Sequence, residues 1–254
     1  MSGGLWLYGI GMAAPGGAPL GEGVAGAAVE AMDAAGFVAL VSQAPAERPA
    51  PTRRHMLTHT AVLERATAAA DVLPVRFGTV APCATTLARC LAVNAIKLRD
   101  AMAGISDCVE LGLRVSWREG VIFEEILAAE PALRAMRDRL ATRPAQDSYQ
   151  DRIELGRRVE AALAQRRTRE AAALDAALAP LAAQMVALRE VDEGMIANRA
   201  FLVRRRDEQR FDAAVATLEA TQGTRLLFRY VGPVPPFNFV SLRAEWFGAP
   251  AQAA

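Results

Sequence analysis

His55 and His59 stand four residues apart, the spacing that lets one helix face present two imidazoles to a metal ion. A zincin-type site needs a glutamate directly after the first histidine, and this chain has Met56 there. No nearby cysteine or aspartate completes a ligand set, so both side chains are expected to be solvated or partly packed on a helix. They are also the whole histidine supply for any Ser-His or Cys-His nucleophilic pair. Cys83, Cys90 and Cys108 form no CxxC pair, and their odd number argues against a disulfide framework. Their apolar surroundings suggest small buried filler. Glu124 with Glu125, and Asp192 with Glu193, are adjacent pairs whose side chains point apart, which does not suit paired-carboxylate catalysis. Gly9-Ile10-Gly11 ends a strand pattern but lacks the third glycine of a dinucleotide loop, and Pro15 interrupts any helix after it. Arg204-Arg205-Arg206 has Asp207 and Glu208 beside it and no interleaved aromatics, the signature of a solvated strand end.

Composition narrows the function classes further. The 254 residues suffice for one large domain or two ordinary ones, and the net charge is +1. No single-sign field therefore points at nucleic acid or an acidic membrane. The chain opens on a strand pattern rather than a basic and then apolar leader, and no apolar run approaches the roughly 20 residues of a membrane span. A soluble cytoplasmic protein with no cofactor and no membrane insertion is expected.

The elements that must position any site come from periodicity. Leu5 to Ile10 reads as a buried strand, then come apolar runs at Val24 to Met32 and Phe37 to Val41 with a turn at Gly36. A helix from Thr52 repeats Met56, Thr60, Leu63 and Ala66, and stops at Asp71 and Pro74. A second helix from Pro82 aligns Leu87, Leu91, Asn94, Leu98 and Met102, and Gly104 is its predicted stop. Asp107 to Trp117 alternates apolar and polar residues as a strand with one buried and one wet face. Val121 to Pro180 is a helical excursion broken at Pro131 and Pro144, with heptad-like Leu174, Leu178, Leu181 and Met185. Strands at Met185 to Glu190 and Met195 to Arg204 come next, then a helix capped by Asp207 and a strand from Thr224 to Val231. This order matches a ferredoxin-like split βαβ unit. The expected fold class is α+β: an N-terminal domain over 1–104, and a modified ferredoxin-like domain over 105–240 with a helical insertion at 121–180. A tail over 241–254 ends the chain.

Two apolar segments stand out: Val72-Leu73-Pro74-Val75-Arg76-Phe77-Gly78-Thr79-Val80 and Gly232-Pro233-Val234-Pro235-Pro236-Phe237-Asn238-Phe239-Val240. Both are rigid and apolar and contain almost nothing that could act as acid, base or nucleophile. With the opening Leu7-Tyr8-Gly9-Ile10 strand and the Ala200-Phe201-Leu202-Val203 strand, their order resembles the gas vesicle protein F/L family across nearly the whole chain. That family often has Trp where Val234 stands and Tyr where Phe237 stands.

The resemblance implies two α+β domains and an accessory role in building the protein-walled flotation organelle. It also implies partners, the small hydrophobic shell protein and other accessory proteins, and it brings no enzymatic activity or cofactor. Candidate contact residues are Arg76, Phe77, Gly78, Gly232, Pro233, Pro235, Pro236, Phe237 and Phe239. Rigid apolar groups of this kind lose little conformational entropy on binding. Arg76 would orient its loop by bonding carbonyls or a carboxylate, or sit in a buried ion pair. Other readings stand beside this one: the segments only clamp the domains together, or the chain binds a small ligand or catalyses in an interdomain pocket, or the helical excursion carries the partner site.

Overall fold

The computed structural model describes residues 4–16, 19–47, 49–144, 146–189 and 192–242. Its packing divides the chain into two compact units. One comprises the residues up to Glu110 together with the segment from Gly232 onward, and the other is Leu111–Val231. Both proline/glycine segments thus belong to the first unit. Most of the expected tail lies outside the described residues.

The first unit is built on β1 (Leu5–Gly11), an apolar central strand buried almost throughout, with Trp6 and Tyr8 packed against Val62, Leu63 and Ala66. β2 (Glu30–Ala34) and β3 (Phe37–Gln43) form a hairpin around Ala35 and Gly36, at φ of 54° and 78°. A two-residue loop needs positive φ at both positions to match strand twist. The sheet order is β2-β3-β1-β4 with β4 at Val72–Pro74, and β5 (Val80–Ala81) also pairs with β1. The Val24 to Met32 run divides into a 3₁₀ turn at Val24–Gly26 and part of β2, so it is not one strand.

α1 (Arg53–Ala69) begins where the Thr52 hydroxyl accepts from the His55 amide at 3.3 Å. Its buried stripe is His59, Val62, Leu63 and Ala66, whereas Met56 is half exposed. The buried stripe is rotated from the expected one, because His59 counts here among the core residues. Gly9 is required by packing against this helix and β4: a Cβ there would lie 2.5 Å from Val72 Cγ1 and 2.9 Å from Leu63 Cδ2. The glycine that suggested a phosphate loop is a strand residue under a helix.

The expected second helix is two. α2 (Ala84–Val93) and α3 (Ala95–Ile105) meet at Asn94, whose side-chain amide donates to the Cys90 carbonyl at 2.9 Å. Asparagine competes for helix hydrogen bonds in this way and favours a break. Gly104 lies inside α3 and does not stop it. The turn after α3 is held by Asp71, whose carboxylate accepts from the Ser106 hydroxyl and the Asp107 amide, each at 3.0 Å.

Most of β6 (Cys108–Trp117) falls in the second unit, and the strand lies inside a four-stranded sheet of order β7-β8-β6-β9. Here β7 is Gln184–Ala187, β8 is Met195–Arg204 and β9 is Leu226–Val234. Three helices connect β6 to β7: α4 (Val121–Ala129), α5 (Pro131–Ala141, with proline at its first turn) and α6 (Tyr149–Leu178). The heptad-like run is not one helix. Leu174 and Leu178 are buried on α6, Leu181 falls in a 3₁₀ turn containing Pro180, and Met185 is in β7. α7 (Glu208–Gln222) comes after β8, and Asp207 stands at its cap position without a capping side-chain bond. β9 continues past Val231, so Gly232 to Val234 close a strand rather than open a loop.

Candidate functional site

The Val72–Val80 segment is fastened to β1 along its length. The Val75 amide donates to the Tyr8 carbonyl at 2.8 Å, and the Leu7 amide to the Thr79 carbonyl at 3.0 Å. Between them the chain turns tightly, with Gly78 at φ 83° and the Thr79 hydroxyl donating to the Arg76 carbonyl at 2.8 Å. Phe77 points inward, edge-on to Trp6 at 5.0 Å and to His59 at 5.7 Å between ring centroids. The Arg76 side chain is exposed and has no partner among the described residues, so it neither orients the loop by bonding nor sits in a buried ion pair.

His59 is the centre of this packing. Trp6 Nε1 donates to its Nδ1 at 3.2 Å, which leaves the proton on Nε2, 2.9 Å from the Val75 carbonyl. Both nitrogens are satisfied only in the neutral ring, and burial pushes its pKa below the ordinary value. Tyr8 stacks on the same ring at 5.0 Å, and its hydroxyl accepts from the Val24 amide at 2.7 Å and bonds the Ser42 hydroxyl at 3.0 Å. Gly23 passes so close that a Cβ would fall 2.0 Å from the Tyr8 hydroxyl oxygen. His59 is thus fully buried, beyond the solvated or partly packed side chain expected. His55, by contrast, is half-buried at the start of α1 with Nδ1 2.9 Å from the Ala50 carbonyl.

The second segment is anchored by two residues that sequence reasoning did not single out. The Asn238 amide donates to Glu110 Oε2 at 2.9 Å and its side-chain amide to Oε1 at 2.5 Å. Glu110 is 3% exposed, although the alternation of β6 places it on the wet face. Burial raises its pKa, and the two Asn238 bonds partly offset that shift. Asn238 carried a signal, as the sole hydrogen-bonding side chain in an apolar run. Glu110 carried none. Around this anchor Pro235 and Pro236 are buried, Val234 and Phe239 are half-buried, and Gly232, Pro233 and Phe237 face solvent.

The remaining candidates are structural. Cys108 is buried, but Cys83 and Cys90 are only half-buried, so the expectation of buried filler holds for one thiol of three. The Cys83 thiol lies 3.3 Å from the Thr86 hydroxyl, a contact that lowers its pKa. Glu125 is held by Arg225 through both of its oxygens and by Arg166 at 3.5 Å, which draws its pKa down. Arg225 also reaches Glu170 at 2.8 Å, and Glu170 accepts from Trp117 Nε1 at 2.9 Å. Within the Arg204–Arg206 cluster, Arg206 pairs weakly with Asp207 at 3.6 Å. Among the described residues no three His, Cys, Asp or Glu side chains gather as a metal site, and no helix is long and apolar enough to cross a membrane.

The two anchored segments and the strands between them extend over the length on which known proteins match. Residues 4–241 match the family model of the gas vesicle synthesis protein GvpL/GvpF. The chain belongs to the GvpL/GvpF family. It is 33% identical to gas vesicle protein F of Streptomyces sp. (strain CB03234) over 80% of this chain and 84% of that one. It is 27% identical to gas vesicle protein F of Nostoc sp. (strain PCC 7120) over 95% of this chain and all of that one. The crystal structure of GvpF from Anabaena sp. PCC7120 superimposes with a TM-score of 0.83 at 27% identity, covering 95% and 100% of the two chains. GvpF from Microcystis aeruginosa gives 0.76 at 26% identity over 94% and 99%. As a GvpL/GvpF protein with two antiparallel sheets and many helices, the chain has a role in gas vesicle formation.

Proposed function

We propose that this GvpL/GvpF protein is a non-enzymatic assembly factor that works in the cytoplasm and at the growing gas vesicle. It holds the hydrophobic shell protein, and with it other accessory proteins, before incorporation. The observation that carries this reading is the match to gas vesicle protein F over nearly the full length of both chains. A subunit destined to face gas exposes apolar surface and strand edges before assembly, and these mispair unless covered.

The polar chemistry of the fold supports a holding role. Titratable groups in and around its core are spent on structure: buried His59 between Trp6 and Val75, buried Glu110 on Asn238, and half-buried Glu125 and Glu170 on Arg225. Phe237 and Pro233 face solvent from a segment whose base is fixed by buried Pro235, buried Pro236 and the Glu110–Asn238 bonds. Such a preorganised apolar tip binds without first ordering itself. Arg76, exposed and unpaired among the described residues, offers a second contact in the same unit. We read the second unit as ferredoxin-like. Its elements run strand, helices, strand, strand, helix, strand, and its first and last strands, β6 and β9, are neighbours.

Pull-down of purified shell protein tests the proposal. Phe237→Ala and Arg76→Ala should fold as the parent does and retain several-fold less shell protein. Undiminished retention by both folded variants overturns the assignment of these residues, and absence of retention by the parent overturns the holding role.

A further inference from the structure

β6 and β9 carry a pair of arginines whose side chains make no bond among the described residues. The Arg118 amide donates to the Arg225 carbonyl at 2.9 Å, and a Cβ on Gly112 would lie 3.0 Å from Val231 Cγ2. These two contacts fix an antiparallel register in which Arg118 faces Arg225 and Gly112 faces Val231. Arg114 then stands directly opposite Arg229, and Ser116 opposite Leu227. All of these residues belong to the second unit.

Directly opposed side chains in an antiparallel pair have Cβ atoms only about 5 Å apart, and like charges there are destabilising. Both guanidiniums are exposed, and neither has a hydrogen bond or ion pair among the described residues. Protection of a sheet edge by charge accounts for Arg229, because β9 is the outer strand. It does not account for Arg114, which sits on the inner strand β6. On the same sheet face Leu227 is 38% exposed and Val231 59%, one on each side of Arg229. Glycine at position 112 keeps the space against Val231 clear.

We propose that this face of the second unit docks a protein segment that presents a carboxylate between two apolar side chains. The carboxylate sits between Arg114 and Arg229 and relieves their repulsion, while Leu227 and Val231 take the flanking apolar groups. Guanidinium forks favour a planar carboxylate over a hydrated point charge, and the aliphatic flanks favour a protein segment over a polyanion. This proposal does not depend on the holding role.

The test uses the full chain and a short synthetic peptide alternating leucine and glutamate, with binding read by fluorescence anisotropy. Arg114→Gln and Arg229→Gln should each weaken the peptide about tenfold, as expected for loss of one charge-assisted contact. Their melting temperatures should equal or exceed that of the parent. The proposal is overturned by no peptide binding by the parent, by equal binding of the peptide with glutamine in place of glutamate, or by unchanged binding by both variants. A lowered melting temperature in the variants assigns the arginines to the fold and also overturns it. Equal or tighter binding of a single-stranded oligonucleotide overturns it in favour of nucleic acid.

Discussion

The two units solve the same problem, a polar group inside a sheet-and-helix core, with opposite chemistry. Around His59 the first uses neutral groups: Trp6 to His59 to the Val75 carbonyl, and Val24 to Tyr8 to Ser42. The second uses charges: Arg225 with Glu125 and Glu170, Trp117 on Glu170, and Arg199 with Asp175 at 2.9 Å. Burial explains the choice. His59 is 2% exposed, where an ion would be costly, whereas the Arg225 side chain retains 32% and stays partly hydrated. The first unit should therefore answer to proton activity and the second to ionic strength.

The sharpest way to break that comparison is His59→Leu. It leaves the Trp6 indole N–H and the Val75 carbonyl without partners, at roughly 1–3 kcal/mol for each buried orphan. A loss of about 3 kcal/mol in urea unfolding is expected on that basis, independent of salt. Arg225→Met comes next. It leaves Glu125 with Arg166 and Glu170 with Trp117 at a partly exposed site, so about 2 kcal/mol is expected, below the range for fully buried pairs. Raising the salt to molar levels should shrink that difference and leave the His59 difference unchanged. If the two respond alike to salt, the contrast between the units is wrong.

Acid gives a smaller and more diagnostic effect. The folded His59 value lies below the ordinary 6.5, so the unfolded chain takes up a proton that the folded chain refuses. The stability this represents is complete above about 6.5 and is lost as pH falls below it. Glu110 acts in the opposite sense. Its folded value lies above the ordinary 4.5, so falling pH through that window adds stability. Melting temperatures between pH 7 and 5 should fall in the parent and stay flatter in His59→Gln. Glu110→Gln should remove the compensating gain and fall more steeply than the parent. The smallest effect belongs to Arg137 and Asp138, an exposed neighbouring pair at 2.8 Å. Arg137→Ala should change the melting temperature by no more than the scatter between repeat scans, because exposed pairs contribute little.

What the sequence made legible was local. The turn at Gly36, the breaks at Pro131 and Pro144, the strand ending at Trp117 and the β7–β8 hairpin are set by neighbouring residues, and all appear where periodicity places them. What escaped was non-local. Glu110 reads as a wet-face residue because its partner Asn238 lies 128 positions away. His59 reads as no more than partly packed because Trp6, which satisfies Nδ1, lies 53 positions away. The break at Asn94 was local yet missed, because the apolar stripe runs on through both helices. Arg76 failed differently: basic flanked by apolar suggested an anchor, and the backbone of Thr79 and Val75 does that work instead.

The holding role is tested most directly by diluting denatured shell subunit into buffer and recording light scattering with and without this chain, in the absence of any nucleotide. Suppression of scattering that saturates at a fixed ratio of chain to subunit, and weakens in Phe237→Ala, is the predicted result. Scattering that rises equally with and without the chain contradicts it.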